Sequence, residues 1–144
     1  MATAEDMFKA IRASDADKVR ELLLAERSLA SLKFRDPTAR FEADVELDAY
    51  KFLGAYLGPL TPLQFAVLLG HDSIARDIIE RSFKEDLDDT FGGGNTTLHL
   101  ATFLGAKDLV KLLLERGANR SIRNSKGFAP VDVLDDSDMR KLFE

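Results

Sequence analysis

The chain has 144 residues, 45% hydrophobic and 31% charged, a balance that belongs to folded rather than disordered sequences. Its net charge of −5 argues against a nucleic-acid partner, because phosphate is held by positive side chains. There is no cysteine for a disulfide or a cysteine zinc site, no apolar run near the ~20 residues that span a bilayer, and no basic-then-apolar secretory start. An intracellular protein of cytoplasm or nucleus, with no membrane insertion, is the expectation.

In chain order, residues 6–13 carry Met7, Phe8, Ala10 and Ile11, and residues 15–24 carry Val19, Leu22, Leu23 and Leu24. Both patterns predict short helices. Residues 28–40 include Lys33-Phe34-Arg35-Asp36-Pro37 and read as a turn or extended piece, since Pro37 disfavours helix at Asp36. Residues 44–57 place Val45, Ala49, Phe52, Leu53 and Tyr56 at helical spacing and predict an amphipathic helix. That helix either serves as a flap that binds a partner or lies on its own chain. A bare apolar face of that size promotes aggregation, which favours the second.

Next comes Thr61-Pro62-Leu63-Gln64-Phe65-Ala66-Val67-Leu68-Leu69-Gly70, echoed 35 residues later by Thr96-Thr97-Leu98-His99-Leu100-Ala101-Thr102-Phe103-Leu104-Gly105. A worn copy, Ala129-Pro130-Val131-Asp132-Val133-Leu134, follows 33 residues beyond. A period near 33 marks a stack of small units rather than one globular core. In the clearest unit Thr96 is placed to cap a helix that Gly105 ends by accepting positive φ. Asp108 opens a second helix with Leu109, Val110, Leu112, Leu113 and Leu114, and Gly117-Ala118-Asn119 stops it. Residues 121–127 form a polar turn, and residues 136–143 close the chain as a short helix with Met139, Leu142 and Phe143 inward. Val19, Ala75 and Val110 stand 56 and 35 residues apart, so some 23 residues beyond one period lie within 25–58.

Residue chemistry offers little for catalysis. His71 and His99 are not spaced i, i+4, so no metal site is expected, and no cofactor. Phe91-Gly92-Gly93-Gly94-Asn95 lacks a lysine at the Walker spacing and reads as a flexible loop between units. Glu85, Asp86, Asp88 and Asp89 lack the ligand alternation of a calcium loop and read as a solvated acidic tip. Arg116, Arg120, Arg123 and Lys126 form a basic loop suited to an acidic or phosphorylated peptide, or to charge balance with the acidic tip.

Gly94-Asn95-Thr96-Thr97-Leu98-His99-Leu100-Ala101, with its Leu-Leu run before Gly117-Ala118, resembles the ankyrin repeat, whose motif opens Gly-x-Thr-Pro-Leu-His-x-Ala. Here Thr97 replaces the usual proline, and in the preceding unit Gln64 stands where histidine is usual. The resemblance implies an all-α solenoid of about four helix-turn-helix units in one domain over 1–144, at 5–25, 59–83, 94–118 and 127–144, with a partly helical insertion at 26–58. It also implies that His99 has a structural role, bonding backbone in the next loop, and that the chain is a non-catalytic module binding a protein or peptide, with no small-molecule substrate. The alternative is a small ankyrin-type inhibitor that occludes an enzyme. In such stacks the two residues before each helix-ending glycine point outward on the concave side. Here they are Leu68, Leu69, Phe103 and Leu104, the expected binding floor, with Asn95, Lys126 and Phe128 at its rim. Arg120 and Arg123 are further candidates, as are Phe52 and Tyr56, which would pack over the floor if the insertion covers it.

Overall fold

The computed structural model describes residues 2–134 and 136–144. The helices are α1 (Ala4–Arg12), α2 (Ala16–Ala25), α3 (Glu46–Phe52), α4 (Pro62–Leu69), α5 (Asp72–Glu80), α6 (Thr97–Phe103), α7 (Lys107–Glu115) and α8 (Ser137–Lys141). Three 3-10 turns, Arg27–Ser31, Lys84–Asp88 and Pro130–Val133, and a two-stranded antiparallel ribbon, β1 (Thr90–Phe91) with β2 (Asn95–Thr96), complete it. Inner helices α1, α4 and α6 pack in a row, and outer helices α2, α5 and α7 form a second row against them. The core runs unbroken between the rows, with Phe8 stacked on Phe65 at 4.8 Å, and Ile74, Ile78, Ile79, Leu109 and Leu113 fully shielded.

The inner helices begin the same way. Thr61 and Thr96 each accept a backbone N–H from the third helical residue, while Gln64 and His99 accept the cap's own N–H in return. This reciprocal box satisfies two donors that a helix start otherwise leaves bare. Thr3 and Asp6 make the same box, so α1 starts at Ala4, two residues earlier than its apolar pattern predicts. In the last copy Ala129 has no hydroxyl. Asp132 still accepts the Ala129 N–H at 2.9 Å, but the segment winds only into the turn Pro130–Val133.

The helix ends are also alike. Gly70 and Gly105 both sit at φ 77, and the next residue's N–H returns to Ala66 and Ala101 at 3.0 Å. Ser14, at φ 55, holds that place in the first unit.

The insertion departs from expectation. Its helix spans only Glu46–Phe52 rather than 44–57, because Gly54 at φ +99 turns the chain away. Tyr56 therefore lies beyond the helix and is exposed. Phe34 pairs with Leu60 in an antiparallel bridge and meets the Phe8 ring at 5.0 Å. The acidic segment is not a free loop tip either: it winds into the turn Lys84–Asp88, anchored by the buried Leu87.

Candidate functional site

The predicted floor lies at the ends of α4 and α6. Leu68 is buried (9% exposed), while Leu69, Phe103 and Leu104 are half-buried, so the four do not form an open apolar surface. Over Phe103 the cover is the chain's own insertion. Asp36 is buried against Arg12, the last residue of α1, and also accepts the Thr38 N–H at 2.8 Å, which turns the chain. Five residues on, the buried Phe41 meets Phe103, the last residue of α6, edge-on at 6.1 Å. Residues 36–41 thus run from the end of the first inner helix to the end of the third. Phe41 makes this contact, not Phe52 or Tyr56 as the helical pattern implied.

Phe52 instead reaches the loop tips, where its ring meets Phe128 at 5.4 Å. Asn95 is 1% exposed and is not a rim residue. Its Nδ2 donates to the Leu53 carbonyl at 2.8 Å, and its Oδ1 accepts from Asn124 Nδ2 at 2.8 Å. Asn124 Nδ2 also donates to the Phe52 carbonyl at 2.9 Å, while Asn124 Oδ1 accepts from the N–H of Lys126 and of Phe128. Two asparagines thereby take up bare carbonyls at the C-terminus of α3, where a helix has no internal donor to offer. The glycine loop is packed rather than free. A Cβ at Gly92 would stand 2.2 Å from the Tyr56 carbonyl, and the Gly93 carbonyl accepts from the Ser125 N–H at 2.7 Å.

His99 is fully buried. Its Nδ1 accepts the Thr96 N–H, which leaves the proton on Nε2 to donate to the Phe128 carbonyl at 2.8 Å. Burial holds its pKa below the ordinary histidine value, so it is neutral at pH 7. Gln64 does the same work one unit earlier, donating to the Asp89 carbonyl at 2.8 Å. Both side chains are occupied in joining a helix to the following loop.

The basic loop is engaged within the chain. Arg120 donates to the Phe143 carbonyl, Arg123 to the Gly127 carbonyl at 2.8 Å, and Arg116 to the Glu80 carbonyl at 3.0 Å. None of the three pairs with the acidic segment, which is held instead through Asp88 by the Asn119 N–H. Lys126 is exposed and has no ion pair among the described residues.

What faces solvent is the far side of the insertion. Leu47 is 83% exposed, and Tyr50 and Tyr56 present their rings outward, with their hydroxyls bonded to Glu46 and Arg35. Tyr50 and Tyr56 line an open cleft of about 380 Å³ together with Ala39, Phe41, Ala55 and Leu57.

A family model of ankyrin repeats, in three copies, matches residues 7–124. The chain belongs to the ankyrin-repeat family. The ankyrin repeat is a protein-interaction module. Among curated relatives, the chain is 35% identical over 74 residues to mouse ankyrin repeat and SAM domain-containing protein 6, covering 51% of the chain and 8% of that protein. It is 40% identical over 52 residues to zebrafish ankyrin repeat and SOCS box protein 11, covering 36% of the chain and 18% of that protein. The ankyrin repeat domain of Bcl-3, described as a member of the IkappaB protein family, superposes with a TM-score of 0.68 at 18% identity, over 95% of this chain and 50% of that one. A chain from the complex of yeast ribosomal protein Rps3 with its chaperone Yar1 gives 0.65 at 24% identity, over 99% of this chain and 91% of that one. These superpositions establish the ankyrin fold.

Sequence reasoning missed three residues that hold this ankyrin stack together. Thr3 was legible, since Thr3-x-x-Asp6 repeats the spacing of Thr61-x-x-Gln64 and Thr96-x-x-His99. Asn124 lies in a polar turn and Phe41 in a segment without periodicity, and neither carries a local signal.

Proposed function

We propose that this ankyrin stack binds a protein partner on the surface its insertion builds over the inner-helix ends. Tyr50, Tyr56 and Leu57 line the cleft with Phe41, and Leu47 stands exposed on the same helix as Tyr50. The proposed surface also takes in the half-buried Leu69 and Leu104 at the helix ends and Phe128 and Lys126 at the loop tips. The carrying observation is the contact of Phe41 with Phe103: the apolar end of α6 is covered from within, and the chain exposes apolar groups on the insertion instead. Tyrosine suits such a surface, having a large apolar body, a polar tip and few rotamers to lose.

The test is affinity capture from cell extract with wild type, a Leu47→Asp/Tyr56→Ser double variant and Phe103→Asp. The double variant should lose the partner with its melting temperature nearly unchanged, as exposed substitutions alter stability by only about 0.5 kcal/mol. Phe103→Asp should melt earlier, because a charge is placed against Phe41. A partner retained by the double variant but lost by a still-folded Phe103→Asp would return the site to the ends of α4 and α6.

A further inference from the structure

A second surface lies on the outer helices, at the C-terminal ends of α2 and α5. A cleft of about 400 Å³ is lined there by Leu23, Leu24, Arg27, Ala30, Glu80 and Arg81. Leu24 is 71% exposed, and Phe83, with the Arg27 guanidinium 4.0 Å over its ring, is 59% exposed. Neither serves the core: α2 buries Val19, Leu22 and Leu23 and turns Leu24 away.

The charges around this cleft run against the chain's net −5. Arg27 and Arg81 line it, and Lys84 lies near Gly117, beside the Arg116 that bonds the Glu80 carbonyl. Helix C-termini attract cations, which accounts for Arg116. Arg81, the C-cap of α5, and Arg27, just past the end of α2, stand in the same field, and neither has a carboxylate within ion-pair distance among the described residues. Arg81 Nε is moreover shut off from solvent with no hydrogen-bond partner among the described residues. Two guanidinium groups without ion-paired carboxylates, one of them stacked on the exposed Phe83, beside the exposed Leu24 have the composition of an interface hot spot.

We infer that this cleft is a second docking site and that its occupant is an acidic protein segment with an apolar anchor. The anchor, an aliphatic or aromatic side chain, packs against Leu24 in the cleft, and a neighbouring Asp or Glu pairs with Arg27 and Arg81. Guanidinium holds carboxylate through paired N–H donors, and swinging Arg81 toward it gives its Nε–H the partner it lacks. Glu80 repels a carboxylate on its own side, which fixes the segment's direction. This site is independent of the insertion surface, so either can fail without the other.

The experiment is selection of a random dodecapeptide phage library on the full chain, followed by fluorescence anisotropy with the enriched peptides. Peptides carrying Asp or Glu close to Leu, Ile, Met or Phe should be enriched. Their binding should weaken at least about tenfold in Arg81→Glu and in Arg27→Glu, fall with added salt, and be unaffected by Leu47→Asp. Arg81→Gln and Arg27→Gln, checked for native circular dichroism, give the same reading if a reversed charge unfolds the chain. Enriched peptides that bind these variants as well as wild type, enrichment of basic peptides, or no enrichment would overturn the proposal.

Discussion

Asn124→Ala isolates the link between the insertion and the loop tips. The side chain is buried and makes four hydrogen bonds, donating to the Phe52 carbonyl and Asn95 Oδ1 and accepting from Lys126 and Phe128. The two accepted N–H groups lie near the surface, where water replaces the amide at small cost. The two oxygens do not: Asn95 is 1% exposed, and the Phe52 carbonyl points into the same buried network. Each buried group left unsatisfied costs about 1–3 kcal/mol, so the variant should lose about 3 kcal/mol. For a domain of this size that lowers the melting temperature by about 6–12 °C. Thermal circular dichroism measures it, and tryptic cleavage at the exposed Arg40 and Lys51 should accelerate as the insertion loosens. Asn124→Asp separates the two halves of the amide. It keeps both accepted bonds, loses both donated ones and sets a carboxylate against two oxygens, so it should be at least as unstable as Asn124→Ala at neutral pH. A melting temperature within about 2 °C of wild type for Asn124→Ala, or full stability for Asn124→Asp, would refute the donor role.

Three further outcomes follow from the packing. Because burial lowers the His99 pKa, the unfolded chain takes up that proton first as pH falls, so stability is full above about pH 7 and declines below the unfolded value of 6.5. His99→Gln should keep most of the stability, since Gln64 makes the equivalent bond, and should flatten the melting-temperature slope between about pH 7.5 and 5.5; equal slopes would refute the assignment. Ser14→Gly should raise the urea midpoint by the equivalent of about 1 kcal/mol, because Ser14 bears the positive φ that glycine carries in the other units; an unchanged or lower midpoint would count against it. Thr102 is 2% exposed and its hydroxyl has no partner among the described residues, so Thr102→Val should be neutral or stabilising by about 1 kcal/mol in denaturant titration, and a loss of that size would mean the hydroxyl is bonded.

The repeat was legible because its rules are local. Thr96 caps because a hydroxyl one residue before a helix meets a free N–H, and Gly70 and Gly105 end helices because positive φ is cheap only for glycine. The role of His99 was implied by the family resemblance rather than by a local rule, since its Phe128 partner lies 29 positions away. The surface was less legible because its determinants are tertiary. Phe41 and Phe103 are 62 positions apart, and no pattern near either announces their contact. Helical spacing extended α3 through Tyr56 because periodicity counts apolar positions and ignores one glycine that breaks the run. Arg120 and Arg123 looked available for ligands because a sequence lists charges and not the carbonyls they reach.

The insertion also changes how the stack should come apart. In an ordinary repeat array each unit touches only its neighbours, so end units fray and unfolding spreads inward in steps. Here residues 34–56 touch α1 through Phe8 and Arg12, the β1–β2 ribbon through Gly92 and Asn95, the end of α6 through Phe103 and the last loop through Asn124 and Phe128. A strut joining the first unit to the last loop makes loss of either end unit break contacts at the other. Melting should therefore be a single cooperative event, with hydrogen exchange at α1 and at the last loop protected to the same depth. The cost is kinetic: these contacts close loops of dozens of residues, which slows folding relative to a stack built from neighbours alone.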